Sequence, residues 1–200
     1  MISPADRTVL DAIAWAAIDD GLQRGAWLRS LGSKSAMRLQ LEGLSGTLRA
    51  AGASFVTLQR NGQLRGCIGT TRPYQALAQD VADHAFAAAF SDPRFDGLRP
   101  NERDDLRIEI SVLGPSQAVP ADDEQTLCDQ LEVGVHGLIL VADGRGATFL
   151  PSVWESLPDK RDFIAALLRK AGAPAGRWPA SVQARVYRVQ KWHCATTEKA

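Results

Sequence analysis

The sequence predicts an α+β fold, a mainly antiparallel sheet flanked by helices. Three observations carry that prediction. Phe55–Thr70, FVTLQRNGQLRGCIGT, places Asn61-Gly62 between two runs of strand composition, and Asn-Gly is the strongest short hairpin signal because both turn residues take positive φ. Leu106–Leu113, LRIEISVL, alternates apolar and polar residues. Hairpins and single helices follow one another without a regular βαβ rhythm.

The elements follow in order. Ser3-Pro4 reads as an N-cap with proline at the first helical position, and Val9, Leu10, Ile13, Ala14, Ala17 and Ile18 form an apolar stripe ending near Gly21. Residues 22–46 lack clear periodicity and read as loops with a short helix. Phe55–Ile68 is the hairpin. A two-residue loop would set Arg60 opposite Gln63, Leu58 opposite Arg65, Thr57 opposite Gly66 and Val56 opposite Cys67. Arg65 and Cys67 would then share a face, roughly 6–7 Å apart at the ~3.3 Å rise of a strand. Pro73 opens a second helix through Ala89, stopping before Asp92-Pro93, and residues 91–105 form a polar connector. In Leu106–Leu113 the leucine, isoleucines and valine at 106, 108, 110 and 112 face the core, with Arg107, Glu109 and Ser111 on the other side. Residues 122–131 read as a short helix. Val133–Val141 holds a buried strand, and Asp143-Gly144 turns it into Ala147–Leu150. Pro151–Asp159 is a loop and 160–171 a helix capped by Gly172. Val182, Ala184 and Val186 make the last strand, and a polar tail follows Lys191.

Composition bounds the function. The 200 residues suit one domain with two lobes; 45% are hydrophobic and 23% charged. Twenty-three basic and 23 acidic residues balance, which argues against general nucleic-acid binding. No apolar run approaches the ~18 residues of a membrane span, and the N-terminus lacks a secretory pattern. Cys67, Cys128 and Cys194 form no CxxC pair, so a reduced, cytoplasmic protein is expected. Histidine and cysteine spacing predicts no metal cluster, and the glycines match neither phosphate-binding pattern, so no cofactor is expected.

Cys67 is the lead candidate for chemistry. A thiolate is the reactive form, nearby positive charge favours it, and Arg65 is the nearest source in sequence. Gly66 and Gly69 strip side chains from both sides of the thiol, which marks a bulge or a close approach by a ligand or backbone. The plain alternative is a small buried residue on a sheet. A nucleophilic cysteine needs a base. His84 lies near the edge of the second helix's apolar stripe, as proton carrier or half-buried helix residue. His136, between Gly134 and Gly137, presents imidazole to a cleft or is an ordinary turn residue. His193 sits in the polar tail. Asp92 and Arg94 form a local ion pair, or Arg94 binds a carboxylate or phosphate. Ser111 reads as a solvent-side hydroxyl, since no nucleophile elbow surrounds it. Glu109 shares that face and is a further possible base.

The segments FVTLQRNGQLRGCIG, AFAAAFSDPRF, LRIEISVLGP, LEVGVHGLIL, FLPSVWE and DFIAALLRKAG, in that order and spacing, resemble the AMMECR family, also called protein A of the AmmeMemoRadiSam system. The resemblance covers about residues 5–190, and LRGCIG at Leu64–Gly69 is its signature. One departure is Pro151-Ser152-Val153, where the family pattern carries Pro-Gln-Val. The resemblance implies two lobes with a cleft beside the signature. It also implies work alongside a Memo-type protein and a radical-SAM enzyme, with no settled reaction. Two functions follow. One is an enzyme or enzyme subunit acting on a small polar or anionic molecule, with Cys67 as reactive thiol and His136 or His84 moving protons. Arg65 and Arg94 would hold the anion, with Leu64, Gly66, Ile68, Gly69, Thr57, Asp92 and Ser111 around it. The other is a non-catalytic partner of the two proteins, for which exposed Trp154 and Trp178 would be the sign.

Overall fold

The computed structural model describes residues 2–25, 38–174 and 176–195. The chain divides into two compact units, Met1–Val112 with Gln190–Ala200, and Leu113–Val189.

In the first unit, α1 (Pro4–Gln23) starts where Ser3 Oγ accepts the Asp6 amide at 3.1 Å, with proline next in line. Its apolar stripe packs on α3 (Leu77–Phe90). A side chain at Gly21 would fall 2.2 Å from the Phe90 ring, so that glycine lets the two helices close on each other. A short α2 (Gly46–Arg49) follows the loop, while residues 26–37 of the expected loop region lie outside the described residues. The sheet has the order β10-β5-β2-β3, formed by β2 (Ser54–Arg60), β3 (Gln63–Gly69), β5 (Leu106–Leu113) and β10 (Val189–His193). Val56, Leu58, Leu106, Ile108, Ile110 and Val112 turn to the core, as alternation requires.

Every one of the 14 residues of α3 is buried, Gln79, Asp80, Asp83 and His84 among them. This corrects His84 from half-buried to buried, because protein covers the helix on all sides. The helix also begins at Leu77, not Pro73. Gln75-Ala76 instead makes β4, antiparallel to β1 (Ala51–Gly52), and the Leu77 amide donates to Ala50 O at 2.9 Å. Ser111 is likewise buried, opposite Phe55, and not on the solvent side. The polar tail expected after Lys191 does not start there: β10 runs to His193, with Trp192 packed against the core.

The hairpin register differs from the two-residue-loop expectation by one position. Asn61 and Gly62 do take φ of 52° and 75°. Arg60 pairs with Gln63 and Gln59 with Leu64, but Leu58 pairs with Gly66, Thr57 with Cys67 and Val56 with Ile68. Arg65 is left over as a bulge. The cause is packing. A side chain at Gly66 would lie 2.0 Å from the Ala88 carbonyl oxygen, so a residue lacking a Cβ is turned against α3.

The second unit carries the sheet β6-β9-β7-β8, from β6 (Gln117–Val119), β7 (Gly137–Ala142), β8 (Arg145–Phe149) and β9 (Val182–Tyr187). Helices α4 (Glu124–Gln130) and α5 (Lys160–Lys170) complete it, with Leu127, Leu138, Leu140, Phe163, Ile164 and Leu167 in its core. Gly172 ends α5 at φ 81°. The Pro151–Asp159 loop opens with a 3-10 turn, Pro151–Glu155, whose Trp154 stacks on Phe163 at 3.6 Å between ring centres. No helix among the described residues is long and apolar enough to cross a membrane.

Candidate functional site

Cys67 lies on β3, at one edge of the first sheet, on the face away from α3. An edge strand leaves alternate backbone groups without a strand partner. At Cys67 the segment after α3 satisfies both. Asp92 Oδ2 accepts the Cys67 amide at 2.9 Å, and Arg94 Nη2 donates to the Cys67 carbonyl at 3.2 Å. Arg94 also grips Asp92 bidentately, through Nε to Oδ1 at 2.9 Å and Nη2 to Oδ2 at 2.7 Å. Asp92's side chain is 2% exposed and Arg94's 53%. Arg94's hydrogen bonds, joined by the Cys67 and Arg94 amides, hold the Asp92 carboxyl well below the usual carboxylate range against the opposing effect of burial. The ion pair therefore clamps the strand at the thiol and still presents half of a guanidinium to solvent beside it.

Cys67's own backbone groups point outward, so Thr57 and Cys67 form a non-hydrogen-bonded pair, the kind with the closer side chains. Thr57 Oγ1 donates to Cys67 Sγ at 3.3 Å. The thiol is partly exposed, unlike buried Cys128 and Cys194. Gly69, across from Phe55, would put a Cβ 2.3 Å from that ring. Gly66 and Ile68 turn to the helix side and leave Leu64, 44% exposed, as the apolar side chain near the turn.

Arg65 is engaged elsewhere. Its Nε and Nη2 donate to Glu102 Oε1 and Oε2 at 2.8 and 3.0 Å. Glu102 lies in the 3-10 segment Pro100–Asp105 and also accepts the Arg99 amide at 2.8 Å. Arg65 first, then the Arg99 amide, keeps the Glu102 carboxyl below its ordinary value. The bulge sends the Arg65 guanidinium to this carboxylate, so the cation beside the Cys67 peptide is Arg94. Glu102 was missed in the sequence because its partner is 37 residues away.

The two histidines nominated as proton carriers have other partners. His84 Nδ1 lies 3.2 Å from Asp80 Oδ2 and 3.3 Å from Ser54 Oγ, and that hydroxyl donates to Asp80 at 2.7 Å. Ser54 shares its face of β2 with Val56 and Leu58, so this cluster is on the core side, opposite the thiol. His136 belongs to the second unit, where its Nδ1 accepts the Glu132 amide at 3.2 Å and its carbonyl accepts Trp154 Nε1 at 2.7 Å. The structure thus gathers Cys67, Thr57, Gly69, Asp92 and Arg94. It does not bring His84 or Arg65 to the thiol. Among the described residues no three His, Cys, Asp or Glu side chains converge as a metal site.

The sequence model of the AMMECR1 family matches residues 12–192. The chain belongs to the AMMECR1 family. A protein of Methanopyrus kandleri is 36% identical over 128 residues, 62% of each chain, so this chain spans less than two thirds of that relative's length. One of Aeropyrum pernix is 33% identical over 186 residues, 88% of this chain and 73% of the other. The crystal structure of an uncharacterized protein from Pyrococcus horikoshii superposes with a TM-score of 0.76 at 26% identity, covering 93% of this chain and 90% of that one. This AMMECR1-family chain thus shares its α+β fold, antiparallel sheets flanked by helices, with a solved structure.

Proposed function

We propose that this AMMECR1-family protein is an enzyme, or an enzyme subunit, that acts on a small anionic or polar molecule through the Cys67 thiol. The observation that carries the reading is the setting of the sulfur. Its peptide is fixed by Asp92 and Arg94, and it accepts a hydrogen bond from Thr57 Oγ1 at 3.3 Å. Fixing the strand holds the nucleophile in one position. Arg94, half exposed, offers a planar cation to a carboxylate or phosphate on the reacting molecule. Three free cysteines accord with a reducing, cytoplasmic setting.

The rival reading is a non-catalytic partner of Memo-type and radical-SAM proteins. It looked to exposed tryptophans, but Trp154 is 3% exposed and Trp178 packs on the second core, so the thiol reading is favoured. The test compares two electrophiles of equal size at Cys67, with peptide-resolved mass spectrometry. Anionic iodoacetate should gain on neutral iodoacetamide relative to free cysteine, and Arg94→Gln should abolish the gain. A Cys67 inert to both reagents, or one without charge preference, rejects the proposal.

A further inference from the structure

The face of the first sheet that bears Cys67 carries a row of polar side chains across all four strands. Cys67 stands on β3, Thr57 on β2, Glu109 on β5, and Lys191 and His193 on β10. Thr57 is the registered partner of Cys67 on one side and of Glu109 on the other. Side chains directly opposed on a sheet face have Cβ atoms about 4.5–5.5 Å apart. Thr57 therefore stands between Cys67 and Glu109 in the row, with its hydroxyl on the sulfur. Glu109 is 16% exposed, and its Oε2 lies 3.6 Å from Lys191 Nζ and 3.8 Å from His193 Nε2. A thiol that attacks a substrate has to give up a proton, and His84 and His136 have the other partners described above.

We propose that Glu109 takes the Cys67 proton through the Thr57 hydroxyl, with Lys191 and His193 holding the carboxylate on the sheet face. This rests on the thiol reading above. The Cys67 S–H bond breaks and its proton passes to Thr57 Oγ1. The proton Thr57 already held passes to Glu109, and the sulfur lone pair is left free to attack. Thr57 then donates to sulfur, the direction of the hydrogen bond observed. Glu109 acts through Thr57 and is a positioning residue. The other charges about the row are Arg107, exposed two residues before Glu109, and Asp92 with Arg94 at the outer edge of β3. Strand β2 adds the uncharged Phe55, Thr57 and Gln59 on this face.

The relay and a simple charge effect predict opposite signs. Glu109 as a mere negative charge opposes thiolate formation, so Glu109→Gln would speed alkylation. As proton acceptor its loss slows it. The measurement is the rate at which iodoacetamide alkylates Cys67 between pH 5.5 and 9, resolved from the other cysteines by mass spectrometry. In that reaction the S–C bond forms, the C–I bond breaks, iodide leaves with the electron pair, and the proton goes to Glu109. Below pH 7, Glu109→Gln and Thr57→Val should each react about a hundredfold more slowly or worse, the low end of general-base assistance. All forms should converge at high pH, and Thr57→Ser, which keeps the hydroxyl, should keep the wild-type profile. An equal or faster Glu109→Gln overturns the relay and leaves the thiol reading standing. An inert wild-type Cys67 overturns both. Should Thr57→Val lose its native circular dichroism, Glu109→Gln decides alone.

Discussion

The two sheets contain hairpins with the same turn chemistry and different consequences. Asn61-Gly62 joins β2 to β3 and Asp143-Gly144 joins β7 to β8. All four turn residues have positive φ, 52° and 75° in the first turn and 48° and 81° in the second. Strand β7 then pairs with β8 without interruption, from Ala142 with Arg145 to Leu138 with Phe149. Strand β2 loses register between Leu58 and Gln59. The difference lies behind the strands. A Cβ on Gly66 would meet the Ala88 carbonyl at 2.0 Å, whereas one on Gly146 would meet only Val141 Cγ2 at 3.7 Å and Leu140 O at 3.9 Å. A turn decides where a hairpin forms, and the helix packed on it decides which side chains face which way. Here that choice puts Cys67 beside Thr57.

The strongest way to break this comparison makes one chemical change twice. Gly66→Ala drives a methyl group into the backbone of a fully buried helix, so either α3 or β3 must move. It should cost about 3 kcal/mol or more in urea unfolding. Gly146→Ala adds a methyl at ordinary contact distance and should stay within about 0.5 kcal/mol. Equal effects at the two glycines would mean that close packing of α3 does not set the register of the first hairpin.

The next largest effects come from the strand edges. Both β3 and β8 are outermost in their sheets, but β3 is held by nearly buried Asp92, and β8 by Lys170 Nζ on the Thr148 carbonyl at 3.0 Å in an exposed position. Asp92→Ala leaves the Cys67 amide and Arg94 without their acceptor and should cost about 2–3 kcal/mol. Lys170→Ala should cost under about 1 kcal/mol. Because Arg94 and the Cys67 amide lower the folded Asp92 value, the ionised form stabilises the fold. That contribution is whole above the unfolded carboxylate value, about pH 4, and is lost as pH falls through the lower folded value. Unfolding of the wild type followed below pH 4 should show the loss, and Asp92→Ala should flatten it. Glu102→Gln, which keeps shape but weakens two hydrogen bonds to Arg65, should cost about 1–2 kcal/mol. It would tie the bulge to its carboxylate.

These contrasts also show what a reader of the sequence can see. Ser3-Pro4, Asn61-Gly62, the alternation of Leu106–Leu113 and the Gly172 cap are local signals, and each matches the element that forms. The β2–β3 register was not legible, because the reason for the bulge is Ala88, 22 residues beyond Gly66. The burial of His84 was not legible either. Periodicity reports which side of a helix is wet, and α3 has no wet side. Strand β10 escaped because its outward residues, Lys191 and His193, are polar and Trp192 alone marks the inward side. At the site, Cys67, Asp92 and Arg94 could be named from the sequence. Their partnership across 25 and 27 residues, and Thr57 as the sulfur's neighbour, needed the fold.

The gentlest test leaves stability alone and compares the thiols of the two units. Cys67 is partly exposed, while Cys128 on α4 is buried, its thiol pushed up by burial first and then by Glu124. Cys194 is pushed up further, again by burial first, with Asp11 adding to it. A raised thiol value lowers the thiolate fraction at a given pH, and thiolate is the form that is alkylated. At pH 8 in native buffer the order of labelling should be Cys67, then Cys128, then Cys194, and in urea the three should converge as burial disappears. Should Cys128 label as fast as Cys67 in the folded protein, exposure and the Thr57 hydrogen bond would confer no advantage on Cys67. The search for chemistry would then have to leave β3.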